Sequence, residues 1–296
     1  MSSKANSGSS SPALDRISID RPLVIGHRGS GAVAPENTLA SFRLGLDAGA
    51  DLIELDYRHS RDGVPVVIHD STFDRTTNSR KVWGRRRVRV ASKTAEEIQV
   101  LDAGSWFGRG FAGAGIPLLA EALDFILARG GVPLVEHKSG DAVASAKLLR
   151  KGGWINRVVL MSFDWSFLRE FHEIEPGQVL GALGPAVRLA DGRRASRFSR
   201  NCGRGWLDEL EKTGAGIVVW SRRVSKAAIR LAHSRGLRVW VYTVDPPRLA
   251  VRLCRLGVDG IITNKIARIQ NALGHLSHRH SALIGRTRLP DTPVGS

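Results

Sequence analysis

Cysteine is nearly absent: Cys202 and Cys254 are the only two among 296 residues, and no C-x-x-C pair occurs. This excludes a disulfide framework and a cysteine-based metal site, and both thiols are expected to be reduced. Long hydrophobic runs are missing as well. Apolar residues make up 42% of the chain, yet no stretch approaches the roughly 20 consecutive apolar residues of a membrane-spanning helix. The opening stretch MSSKANSGSSSPALD lacks the apolar segment of a secretory signal, so residues 1–20 read as a disordered leader and the cytoplasm as the default location. No G-x-G-x-x-G follows the first apolar run, which argues against a dinucleotide-binding sheet.

Acid is scarce relative to base: 28 Asp and Glu face 44 Lys and Arg, for a formal charge of +16. Arg80, Lys81, Arg85, Arg86, Arg87, Arg89 and Lys93 follow one another with no acid between them, and a second basic patch spans Arg188 to Arg204. Such fields attract nucleic acid, anionic lipid and phosphorylated small molecules alike, and a solvated basic surface is the plainer alternative.

What is present is alternation. Short β-branched runs (LVIGH, LIELDYR, VVIH, PLVEHK, VVLMSF, VLGALG, GIVVWS, RVWVYTV, GIITN) are separated by amphipathic stretches such as LLAEALDFILARG and KAAIRLAHSRG. That order is the signature of a mostly parallel α/β sheet, and eight or nine strands in it predict a closed (β/α)8 TIM barrel over residues 21–274. Residues 71–115 break the alternation with charged, glycine-rich and aromatic sequence, and are expected as an inserted excursion on the barrel rim after the second barrel strand. The stretch 275–296 reads as a flexible basic tail.

Side chains of a strand alternate between its faces, so Leu52, Glu54 and Asp56 share one face of LIELDYR, and Leu134, Glu136 and Lys138 share one face of PLVEHK. Helices cover the outside of such a barrel, so Glu54, Asp56 and Glu136 are expected to point inward. Buried like charges need a cation, and an oxygen-only set with no thiols suits Mg2+ or Ca2+ rather than zinc or copper. The plainer reading of each acid taken singly is a rim salt bridge. His27 and His69 close two of the runs, where barrel enzymes assemble catalytic groups, and their pKa suits an acid/base pair. Arg28 and Lys138 beside them complete a set fit for a phosphodiester. PENTLASF reads as a helix start, with Pro35 and Asn37 opening it and Leu39 and Phe42 facing the core, while Glu36 is expected to buttress the His27 imidazole.

From residue 23 to about 266 the ordered set HRG, PENT, F, GAD, E-x-D, DG, HD, RTT, LDAGSWFGRGFAG with a following IP, VEHK and VYTV…GVDGIITN resembles the glycerophosphodiester phosphodiesterase family. The resemblance implies a (β/α)8 barrel with an inserted subdomain, one divalent cation on Glu54, Asp56 and Glu136, an acid/base pair in His27 and His69, and phosphate contacts from Arg28 and Lys138. It implies hydrolysis of glycerophosphodiesters to glycerol 3-phosphate and an alcohol, attacked by water or by the neighbouring glycerol hydroxyl. Two positions depart from the pattern: Tyr242 stands where tryptophan is common, with Trp240 two residues earlier on the same face, and TNKI replaces a motif with aspartate and proline. Tyr242 is therefore expected against the substrate, in an altered apolar wall. The arginines beside Trp83 suggest peripheral contact with anionic membrane and a lysophospholipase D-type alternative. A non-catalytic barrel binding nucleic acid is the remaining rival, and the intact site residues argue against it.

Overall fold

The computed structural model describes residues 11–195 and 199–274. Nine strands follow the expected runs: β1 (Leu23–Gly26), β2 (Leu52–His59), β3 (Pro65–Val67), β4 (Val132–His137), β5 (Val159–Ser162), β6 (Leu180–Gly184), β7 (Ile217–Ser221), β8 (Arg238–Tyr242) and β9 (Gly260–Thr263). β1 pairs in parallel with both β2 and β9, which closes eight parallel strands into the barrel. The run around VVIH departs from expectation. β3 pairs antiparallel with β2 and stands outside the ring, because Arg61, Asp62 and Gly63 turn the chain straight back.

The period of two sorts the strand residues. Ile25, Leu52, Leu134, Val159, Met161, Val219, Trp240 and Ile262 fill the barrel interior. Val24, Ile53, Leu55, Val135, Leu160, Val218 and Val241 face outward, against helices such as Leu119–Leu127 and Trp165–Ile174. Side-chain oxygens start several of these helices: Thr38, Asp141, Asp164 and Ser225 each accept from a backbone N–H of the first turn.

Residues 11–20 are not a disordered leader. Pro12–Ile17 form a helix whose Ala13 and Ile17 are buried at the N-terminal end of the barrel, with Leu14 and Ile19 packed beside them. Ala13 and Ile17 are four apart and so share a helix face, and that burial holds a helix too short to persist alone. Residues 1–10 and the tail 275–296 lie outside the described residues.

The excursion leaves after β3 and carries its own small core of Ile68, Phe73, Val88, Val90, Ile98, Leu101 and Ile116. Asp102 accepts from the backbone of Gly104, Ser105 and Gly113, so the LDAGSW stretch is loop scaffolding. Trp83 packs edge-on against Phe73 at 5.2 Å with Lys93 over its ring, while Arg85, Arg86, Arg87 and Arg89 are exposed. Among the described residues, no helix is long and apolar enough to cross a membrane.

Candidate active site

The register that pairs Asp56 with Glu136 sets two carboxylates side by side at the C-terminal end of the barrel, with Glu54 one inward position deeper. All three are buried, and each offers an oxygen within 4.8 Å of the others. Burial, reinforced by the Asp56 and Glu136 charges, pushes the Glu54 carboxyl well above the usual carboxylate range. Burial and the Asp56 charge push Glu136 up to about 7. Asp56 goes the other way: burial opposes its charge, but Lys138 and Arg28 outweigh burial and hold it low. Three carboxylates thus face two cations, Arg28 and Lys138, an imbalance that a bound divalent cation would correct. Asp56 Oδ1 is buried without a hydrogen bond, with Lys138 Nζ at 3.2 Å. Hard oxygen donors with one orphaned atom fit a divalent cation.

The loop after β1 grips this cluster through backbone and side chain. Arg28 adopts the left-handed region (φ 53°) and Gly29 follows it (φ 86°), where a Cβ would strike Ser41. The turn aims the Arg28 N–H at Glu54 Oε2 (2.7 Å), while its guanidinium reaches Glu36 at 2.7 Å and lies 3.3 Å from Asp56 Oδ2. Asn37 does not open the helix; Thr38 caps it. Asn37 is itself left-handed (φ 57°), and its amide donates to Asp56 Oδ2 at 2.9 Å and accepts from the Asp56 N–H at 3.2 Å. Lys138 pairs with both Glu136 and Asp56.

His27 and His69 both line the cavity that holds Glu54, Glu136, Arg28 and Lys138. Glu36 does not buttress His27: its carboxylate is taken by Arg28 and Arg75, and Asn264 Oδ1 meets His27 Nδ1 at 2.8 Å instead. His69 Nδ1 meets Asp70 Oδ1 at 2.7 Å, and Arg75 bridges Asp70 to Glu36. Burial lowers the pKa of both imidazoles, helped at His27 by the Arg28 charge and opposed at His69 by Asp56. Hydrogen bonds from Arg75 and His69 pull Asp70 down to about 2.

The cavity measures 230 Å³, and Met161, Phe163, Leu183 and Tyr242 form its apolar side. Tyr242 donates to the Gly184 carbonyl at 2.7 Å and packs edge-on against Phe163. Trp240 lies below it in the closed interior, fully buried. Sequence reasoning missed Asn37, Asp70, Arg75 and Asn264 as supports, although each lies in a motif already singled out: PENT, HD, RTT and TNKI.

Known proteins resemble this chain over most of its length. The chain is 32% identical over 252 residues to a glycerophosphodiester phosphodiesterase of Caldanaerobacter subterraneus, covering 82% of this chain and 94% of that one. It is 43% identical over 84% of its length to a human glycerophosphoinositol inositolphosphodiesterase, of which it spans 47%. An Oleispira antarctica phosphodiesterase, solved with the product sn-glycerol-3-phosphate, superposes with a TM-score of 0.74 at 27% identity, covering 86% of this chain and 97% of that one. The profile of the glycerophosphoryl diester phosphodiesterase family matches residues 27–268, nearly the whole barrel, and the chain belongs to that family.

Proposed function

We propose that the chain hydrolyses glycerophosphodiesters to glycerol 3-phosphate and an alcohol, using one divalent cation, Mg2+ or Ca2+, on Glu54, Asp56 and Glu136. The observation that carries this is one cavity lined by Glu54, Glu136, Arg28, Lys138, His27 and His69, with buried Asp56 clustered against the two glutamates. When bound, the cation supplies Lewis-acid charge to the phosphoryl oxygens. Arg28 and Lys138 add positive charge beside it and orient the diester. One histidine takes the proton of the attacking hydroxyl and the other returns a proton to the leaving alcohol, each through the ring nitrogen opposite its Nδ1 partner. The attacker is water, or the neighbouring glycerol hydroxyl, which expels the alcohol to leave a cyclic phosphate that water then opens to glycerol 3-phosphate. Phe163 and Tyr242 form the wall for the glycerol carbons. A cavity below the roughly 300–1,000 Å³ of drug-sized pockets suits a small head group. Both cysteines are buried and unpaired, which suits a reducing compartment, and a cytoplasmic place of action belongs to the same proposal.

A second reading, cleavage of lysophospholipid diesters at an anionic membrane, is favoured by the exposed Arg85, Arg86 and Arg89 and the exposed Val82 and Val187. Trp83 takes no part in it, since its ring serves the excursion's own core.

The test is release of glycerol 3-phosphate from glycerophosphocholine and glycerophosphoethanolamine with Mg2+, with Ca2+ and with chelator, alongside His27→Ala. Metal-dependent release that the variant loses supports the reading. Release only from lysophospholipid in anionic vesicles moves the assignment to the second reading. Silence on both, together with steeply salt-dependent DNA binding, refutes the enzyme and favours a binding barrel.

A further inference from the structure

The departure at TNKI lies against the catalytic cavity. Asn264 follows β9 and is separated from His27 by 237 positions, yet its Oδ1 meets His27 Nδ1 at 2.8 Å. The opposite end of the same amide is held by Asp245, in the loop after β8: Asn264 Nδ2 donates to Asp245 Oδ2 at 2.9 Å, and the Asn264 N–H donates to Asp245 Oδ1 at 2.8 Å. Thr263 Oγ1 donates to Asp245 Oδ1 at 3.0 Å, which anchors the carboxylate to the end of β9. Those hydrogen bonds outweigh burial and keep Asp245 below the usual carboxylate range, so it is an acceptor only.

These contacts leave one consistent assignment. A carboxylate needs a donor, so the NH2 of Asn264 faces Asp245 and its carbonyl oxygen faces His27. A carbonyl oxygen is an acceptor only, so His27 Nδ1 must carry the proton. Nε2 then keeps its lone pair, and among the described residues it has no hydrogen-bond partner. The loop glycine Gly31 leaves room for the amide, since a Cβ there would lie 3.0 Å from Asn264 Oδ1.

We infer that Asn264 and Asp245 are positioning residues that lock His27 as its Nδ1–H tautomer, so that Nε2 faces the cavity as the proton acceptor of the reaction. The inference rests on the hydrolase reading for its catalytic meaning, but the tautomer itself does not. His69 is backed by a carboxylate, Asp70, rather than an amide, so the two imidazoles are held by different chemistry.

The experiment is long-range 1H–15N correlation on 15N-histidine-labelled protein at a pH where His27 is neutral, with and without Mg2+, His27 being assigned by its loss in His27→Gln. The wild type should show Nδ1 protonated and Nε2 unprotonated. Asn264→Leu should lose that preference and lower kcat by about 10–100-fold with KM and Mg2+ affinity nearly unchanged, as loss of a hydrogen-bonded support does. The exchanged pair Asn264→Asp with Asp245→Asn keeps an acceptor facing Nδ1 and a donor behind it, and should recover the Nδ1–H signature and most of kcat. Asp245→Asn leaves the Asn264 amide free to turn and should give a mixture of tautomers. An Nε2–H signal in the wild type, or an unchanged tautomer or kcat in Asn264→Leu, overturns the inference. If the wild type turns over no diester but the tautomer shifts as described, the hydrolase reading fails and the clamp stands.

Discussion

The two ends of this barrel are built from the same strands and do opposite work. Along the inward face of β2 the residues run Leu52, Glu54, Asp56; along β4 they run Leu134, Glu136 and then Lys138 just past the strand end. The lower end is filled by Leu52, Leu134, Val159, Ile217 and Trp240 and sealed by the Pro12–Ile17 helix, so burial there stabilises the fold. Two residues further along, equally buried side chains carry charge, and burial there costs stability unless cations sit beside them. The price of a reactive mouth is met by the apolar plug beneath it.

The largest effects should come from the mouth and leave the fold intact. His27→Ala and His69→Ala should each lower kcat by about 10²–10⁴-fold while isothermal titration still finds Mg2+ bound. Glu54→Gln should weaken metal binding and turnover together; equal metal loss in all three variants would contradict the separate roles. The converse substitution is Leu134→Ala in the plug. It should cost about 2–5 kcal/mol of stability by denaturant titration with kcat little changed. A large kcat loss in the folded variant would show that the two ends are not separable.

Proton linkage should give a smaller effect that sharpens the contrast. Glu136 has its folded pKa raised to about 7, so its contribution to stability is fully present below the ordinary carboxylate pKa and is lost as pH rises through about 7. In the metal-free protein that loss should approach roughly 3 kcal/mol, and bound Mg2+ should offset it by pairing the ionised form. The stabilisation that Mg2+ confers, read as a difference in Tm, should therefore grow between pH 5 and about pH 8. His137, buried against Phe167 and lowered to about 4, loses stability as pH falls, but with and without Mg2+ alike, so it drops out of the difference. A flat difference would refute the burial argument for Glu136. The smallest effect should be at the rim. Arg85→Glu with Arg86→Glu should reduce sedimentation with anionic vesicles and leave turnover of glycerophosphocholine nearly unchanged; unchanged sedimentation would remove the membrane reading.

Much of this was legible beforehand because it is local. Alternation along a strand depends only on neighbouring residues, so Glu54, Asp56 and Glu136 could be placed on inward faces, and the count of runs predicted the barrel. The ordered motifs located His27, Arg28, His69 and Lys138 without saying what holds them. The same local reading failed where the tertiary environment overrides it. A polar-looking start became a helix because the barrel end needed covering. Asn37, read as a helix opener, took a left-handed backbone because Asp56 needed both a donor and an acceptor. Glu36, near His27 in sequence, went to Arg28 and Arg75 because two guanidiniums outcompete one imidazole for a carboxylate.

The partition has one physical cause. Period, composition and motif order are properties of the chain, and they determined the barrel, the acidic cluster and the family chemistry in advance. Which side chain meets which across the mouth follows from ring closure, when β9 pairs with β1 and brings Asn264 to His27. Ring closure decided that His27 is backed by an amide from the far end of the barrel, whereas His69 takes its carboxylate from the next residue, Asp70.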